Sequence, residues 1–382
     1  MPIRKLFFLA LLGIGLTTVW VIRFVLVRPS YQVGDKVRVS GQISNQPQVA
    51  GAQQRITLSD FTFYTDRFPE LSYSERIIAE GVIGKGKSGY YLESPVVRKI
   101  GELGVLGEIR ERVFGVFKKF LPEPHSGLLS GVVLGTKSSL DSNFLEALRK
   151  TGTLHIVVAS GSNIAFFSGL IINITAFIWG RKRAVLLCFI LVWSYVLLIG
   201  ADPPIVRAAV MGSILIFAQS LGREFDVWRA LVIAGAIMLF IYPLWLFDLG
   251  FQLSFLATAG IVGLGKKTQD LVDKIKYLPA VFKSALSVTL AAQVAVTPLL
   301  FITFGEVSLV SPLVNTLVLW TVPFIMLGGF LLGILGVLGG LWGTLSVPGP
   351  ALSSGEMLGQ ILAWFLWLPL EYFIQIVRLF GS

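Results

Sequence analysis

The run GTLHIVVASGSNIAFFSGLIINITAFIW, residues 152–179, constrains this chain more than any other stretch. It is apolar enough to cross a bilayer, yet His155, Ser160, Ser162, Asn163, Ser168 and Asn173 are spread along it. Lipid offers such groups no hydrogen bonds, so they must face protein or water. As one continuous helix, steps of about 100° per residue place His155, Ser162 and Asn173 on one side, with Ser160 and Asn163 adjoining. Gly161 is the point where that helix can break.

The remaining chain has the same character. Of 382 residues, 54% are hydrophobic and 14% charged, and the mean hydropathy is +0.76. Soluble domains carry roughly a quarter charged residues. The expected fold class is therefore a polytopic α-helical membrane protein. The net charge of +10 suits either an anionic partner or the Lys/Arg enrichment of cytoplasmic loops. Cys188 is the single cysteine, so no intrachain disulfide forms. Only His125 and His155 are available as imidazole ligands, and no CxxC pattern occurs. A zinc site needs three or four convergent ligands; no metal and no cofactor are expected.

Arg4 and Lys5 precede an apolar run from Leu6 to Val27 that predicts an uncleaved anchor over residues 1–28, with Arg23 near its far end. Residues 30–101 change character. Alternating runs such as KVRV, QRITLSDFTFY and RIIAEGVI, punctuated by NQPQ and GKGKSG, predict a small β domain of about five strands, compatible with an OB-type barrel. Phe61, Phe63, Tyr64, Phe68, Tyr73, Tyr90 and Tyr91 are its aromatic residues, serving either as core or, if exposed, as a stacking surface for single strands. Residues 102–124 read as an amphipathic interfacial helix, closed by Pro122 and Pro124. Residues 125–382 form the expected transmembrane domain. Residues 127–135 are too short to cross and predict a re-entrant or buried turn.

Arg181-Lys182-Arg183, Arg223 with Arg229, and the basic loop from Lys266 to Lys283 fall on the side of Arg4 and Lys5, while the intervening turns at Ala201 to Pro204 and near Gly305 carry no cation. That pattern places the amino terminus in the cytoplasm and the β domain outside.

Within the spans, Arg207 follows Asp202-Pro203-Pro204 and either snorkels, pairing with Asp202, or meets an anionic substrate. Asp248 and Gln252 lie one helical turn apart around Gly250, as a structured corner or a lined pathway. Thr289, Gln293 and Thr297 form a polar stripe, and Asn315 adds an amide. His155 with Ser160 also raises an intramembrane serine hydrolase, but on a continuous helix the two diverge by about 140°, and a structural His bonded to a backbone carbonyl is the alternative.

TGTLHIVVASGSNIAFFSGL, PPIVRAAVM, DLGFQLSFLATAGI and QVAVTPLLFITFGEVSLVSPLVNTLVLWTVPFI occur in this order, and together they resemble the ComEC-type competence family, which imports single-stranded DNA through the bacterial inner membrane. The resemblance runs over nearly the whole chain and implies an OB-like domain outside the membrane followed by a channel domain. It marks His155, Ser160, Gly161 and Asn163, then Arg207, then Asp248, Gly250, Gln252 and Ser254, then Gln293 and Asn315, as substrate-path or structural residues. It implies an inner-membrane location, no catalysis, and as partners single-stranded DNA, the lipid bilayer and a separate DNA-receiving protein. The chain departs from the family at the carboxyl end, where many members continue into a metallo-β-lactamase-like domain. No His-x-His-x-Asp-His pattern is present, so a separate nuclease is expected, and with it a cytoplasmic ATP-driven motor. A small-solute or lipid transporter is the competing class.

Overall fold

The computed structural model describes residues 18, 20–26, 32–43, 47–50, 52–58, 61–69, 71, 75–86, 89–100, 104–136, 140–157, 160–222, 226–305, 307–343 and 354–381. Most of the expected anchor thus falls outside the described residues.

Six strands, β1 (Lys36–Gln42), β2 (Gln48–Ala50), β3 (Gln53–Leu58), β4 (Phe61–Asp66), β5 (Arg76–Gly86) and β6 (Gly89–Lys99), form one sheet in the order β1-β5-β6-β4-β3-β2. Neighbours are antiparallel except β4 and β6, which run parallel. The two sheet edges, β1 and β2, are consecutive in the chain. They are therefore two halves of one long first strand wrapped around both sides, which is the topology of a five-stranded OB barrel. Period-two alternation turns Ile56, Leu58, Phe61 and Phe63 inward and leaves Arg55 and Tyr64 outside.

Gln54 follows that alternation yet is polar, a buried amide on the inward face with Ile56 and Leu58. Its Nε2 donates to the carbonyls of Asp66 (2.8 Å), Arg67 (3.3 Å) and Pro69 (2.9 Å), and its Oε1 accepts from the Leu71 amide at 3.2 Å. It braces the loop after β4 and holds Phe68 out in solvent, 74% exposed. Gln54→Ala removes about 1–3 kcal/mol of hydrogen bonding. Amide hydrogen exchange is expected to accelerate about tenfold or more at Leu71 while Ile77 stays protected.

The helices are α1 (Val105–Phe120), α2 (His125–Leu134), α3 (Ser142–Lys150), α4 (Leu154–Val157), α5 (Gly161–Trp179), α6 (Arg181–Ile199), α7 (Pro203–Ser220), α8 (Val227–Ile241), α9 (Leu249–Val272), α10 (Ala280–Phe304), α11 (Ser311–Val318), α12 (Val322–Gly343) and α13 (Ser354–Gly381). Among the described residues, six segments are long and apolar enough to cross a membrane: 154–179, 203–220, 249–272, 280–304, 311–338 and 356–381. The chain is a polytopic helical membrane protein carrying a small β domain.

α1 is shorter than its composition suggests because Leu121, pushed extended by Pro122, stops it at Phe120. Its apolar side divides in two. Val113 and Val116 lie against Gly333 and Gly336 of α12, whereas Val105, Leu106 and Ile109 stay open.

Residues 127–134 prove to belong to a helix, α2, buried along its whole length, with Gly135 as its left-handed cap. A helix end inside an apolar core leaves carbonyls without partners. Here the Val132 carbonyl accepts from Asn163 Nδ2 at 3.0 Å, and the Val133 carbonyl from the Tyr195 hydroxyl at 2.8 Å. α2 thereby joins the two apolar cores of the membrane domain, one built from α1 to α4 and α11 to α13, the other from α5 to α9. The packed rings of Phe167, Tyr195 and Phe330, with centroids 4.6–5.1 Å apart, make the same join beside it.

Candidate functional site

The opening stretch does not form one helix. Ser160 is extended (φ −111°, ψ 165°), and α5 begins at Gly161, after the short α4. The angular argument that separated His155 from Ser160 on a continuous helix therefore lapses. The break divides the polar residues between two places.

At the first, α5, α7 and α9 begin close together. Gly161 lies against Pro204, Arg207 and Ala208 of α7, and Gly250 lies against Pro204. Arg207 reaches across, and its Nη1 donates to the Ser254 carbonyl at 2.6 Å. The expected alternative, pairing with Asp202, is not what holds the guanidinium. Its Nε is buried without a partner. Ser160 Oγ meets Ser162 Oγ at 2.6 Å and donates to Asn163 Oδ1 at 3.1 Å, so Asn163 is shared between this place and α2. Asp248 caps α9, accepting from the Phe251 amide at 2.7 Å, and Gln252 Nε2 donates to the Leu246 carbonyl at 2.8 Å. Both side chains thus tie down the corner formed by the 3₁₀ turn Pro243–Phe247. Three helix N-termini and a guanidinium favour an anion here, and the carboxylates of Asp202 and Asp248, at the N-cap positions of α7 and α9, oppose it.

At the second place, His155 Nδ1 donates to the Gly152 carbonyl at 2.8 Å. Gly152 needs its left-handed backbone (φ +68°), and a Cβ there would stand 2.6 Å from Ser311 Oγ. Ser311 Oγ in turn accepts from Asn315 Nδ2 at 3.1 Å. His155 and Asn315 therefore belong to a separate place, where the Gly152 turn between α3 and α4 meets the start of α11. Gln293 lies on α10, where Thr289 and Thr297 satisfy their hydroxyls on the carbonyls of Ala285 and Gln293.

Two buried polar side chains escaped sequence reading. Arg110 of α1 donates to the carbonyls of Leu198 and Ile199 at the end of α6. Its signal was positional, since it occupies the same stripe as Leu106, Val113 and Phe117. His125, outside the six candidate spans, opens the buried α2, with Nε2 2.7 Å from Glu371 Oε2 of α13 and its ring stacked on Trp367.

Arg110 at the α6 terminus and Arg23, whose Nη2 bonds the Ile241 carbonyl at the α8 terminus, fix the segments on either side of the β domain. Those termini lie at the bundle end where α7 and α9 begin. The β domain therefore leaves the bundle at the end that holds Arg207. The basic segments that follow α5 and α9 lie at the opposite end.

On the barrel, Arg55 stands directly across from Tyr64, and Thr62 pairs with Tyr91 on β6. Tyr64 is 51% and Tyr91 37% exposed, whereas Phe61 and Phe63 are core. The Glu93 carboxylate accepts from the Tyr91 hydroxyl at 3.0 Å, and this bond and its charge raise the phenol above its ordinary value.

Such a molecule belongs to the class of multi-pass membrane proteins with an appended OB-type barrel. Residues 132–379 match the Competence protein family, and the chain belongs to that family. ComE operon protein 3 of Bacillus subtilis (strain 168) is 25% identical over 228 residues, covering 59% of this chain and 28% of that protein. An uncharacterized protein, YcaI, of Escherichia coli (strain K12) is 25% identical over 215 residues, covering 53% of this chain and 28% of that one. The matched part is thus little more than a quarter of either relative. No solved structure matches.

Proposed function

We propose that this chain forms an inner-membrane path for single-stranded DNA, used in DNA uptake during natural transformation. The observation that carries this reading is Arg207, a cation at the convergence of three helix starts, tethered by a carbonyl and, among the described residues, not by a carboxylate. A guanidinium whose charge is not neutralised by a close anion can receive a phosphate without reading sequence. The hydroxyls of Ser160 and Ser162 beside it offer weak neutral contacts, which suits conduction because a strand must also leave.

In this reading the barrel is extracytoplasmic and receives the strand on the face carrying Arg55, Tyr64 and Tyr91. Bases stack on exposed rings while cations follow the backbone. The protein is a conduit and not a catalyst. Strand degradation, capture of incoming DNA and ATP-driven pulling belong to separate partners.

The deciding experiment is flux of labelled single-stranded DNA into proteoliposomes containing the purified full chain. DNA entry is the expected result; saturable entry of a small solute with no DNA flux would instead establish a solute transporter. On the receiving face, Tyr64→Ala is expected to weaken binding of an oligothymidylate to the full chain in nanodiscs by roughly 5- to 150-fold, the value of one base stack of about 1–3 kcal/mol. Fluorescence anisotropy at two salt concentrations measures it, and unchanged affinity removes the ring from the path.

A further inference from the structure

We propose that Gly161 is a positioning residue for Arg207: its missing side chain is the space that the guanidinium occupies. The inference rests on the reading of Arg207 as the cation that meets the strand. Gly161 has no backbone need to be glycine, because its φ is not among the positive ones, and at the start of a helix alanine is the better helix former. What excludes a side chain is proximity. A Cβ at Gly161 would stand 2.6 Å from Arg207 Nη2, while the next atoms are Ala208 Cβ at 3.3 Å and the Pro204 carbonyl oxygen at 3.7 Å. The tight contact is therefore with the far end of a flexible side chain and not with backbone. On its other side the same guanidinium is bonded through Nη1 to the Ser254 carbonyl at 2.6 Å. The group sits in a slot with α5 backbone as one wall and α9 backbone as the other. A methyl group on the α5 wall pushes the guanidinium along the slot or off Ser254, while the 3.3 Å approach to Ala208 Cβ asks α7 to give by only a few tenths of an ångström.

Gly161→Ala is expected to reduce DNA uptake about fivefold or more, the scale of one misaligned charged hydrogen bond, with normal abundance in the membrane fraction. Arg207→Lys lacks Nη2, so it lowers uptake by itself and removes the clash. The double variant Gly161→Ala/Arg207→Lys should then fall no further than Arg207→Lys alone, a non-additivity that a general packing defect does not produce. Normal uptake in Gly161→Ala, or losses that multiply in the double variant, overturns the positioning role. Arg207→Ala, run alongside, separates the two readings. If Arg207→Ala takes up DNA normally, the path assignment itself fails; if it is impaired while Gly161→Ala is normal, only the positioning role fails. Should Gly161→Ala reduce abundance, Gly161→Ala/Arg207→Ala decides: restored abundance supports the clash with the guanidinium, and persistent loss overturns it.

Discussion

Arg207→Ala is expected to lower uptake of labelled DNA by about tenfold or more while insertion and abundance stay normal. A charge-assisted hydrogen bond to a phosphate contributes roughly 1.5–3 kcal/mol, and every 1.4 kcal/mol is a factor of about ten. The fold has little stake in the residue. The Ser254 carbonyl keeps its bond from Thr258 Oγ1 at 3.0 Å, and removing a partly buried cation from an apolar setting relieves an unfavourable term. Uptake measured against the amount of protein in purified membranes tests this. Equal uptake per molecule would take Arg207 out of the path.

Asn163→Ala has the opposite signature, a loss of stability before any loss of specific function. Asn163 is fully buried, and its amide satisfies the Val132 carbonyl at the end of α2 while its oxygen accepts from Ser160. Truncation orphans that carbonyl where no water reaches it, at a cost of roughly 1–3 kcal/mol. On the scale of about 2–4 °C per kcal/mol for domains of this size, the unfolding midpoint of the detergent-solubilised protein is expected to fall by roughly 5 °C. An unchanged midpoint would mean that α2 is held by apolar packing alone. The contrast between these two variants separates a residue that serves the substrate from one that serves the fold.

The fold class was readable from the sequence because burial in lipid and period-two alternation are local signals. An apolar composition with basic turns at regular intervals yields helices, and QRITL followed by FTFY yields paired strands whatever lies elsewhere. The OB topology was legible only as a possibility. It depends on β1 and β2 reaching opposite edges of one sheet, a pairing between residues distant in sequence. Aromatic residues in the barrel looked alike in the sequence, and pairing register sorted Phe61 and Phe63 inward from Tyr64 outward.

The polar spans show the same division more sharply. That His155, Ser160, Asn163, Arg207 and Gln252 must find partners follows from the sequence, since none can remain unsatisfied in hydrocarbon. Which partners they find does not. His155 takes the Gly152 carbonyl, Asn163 the end of α2, Gln252 the 3₁₀ corner and Arg207 the Ser254 carbonyl. Three of these acceptors are backbone oxygens freed where a helix begins, ends or breaks, and such points carry no residue-specific mark. His125 and Arg110 were obscured for the same reason, each being buried by elements far along the chain. The sequence by itself determined a membrane-embedded chain with a β domain and a set of polar groups that needed satisfying. Only the tertiary structure decided which of them join helices through distant backbone carbonyls and which gather at the meeting of α5, α7 and α9.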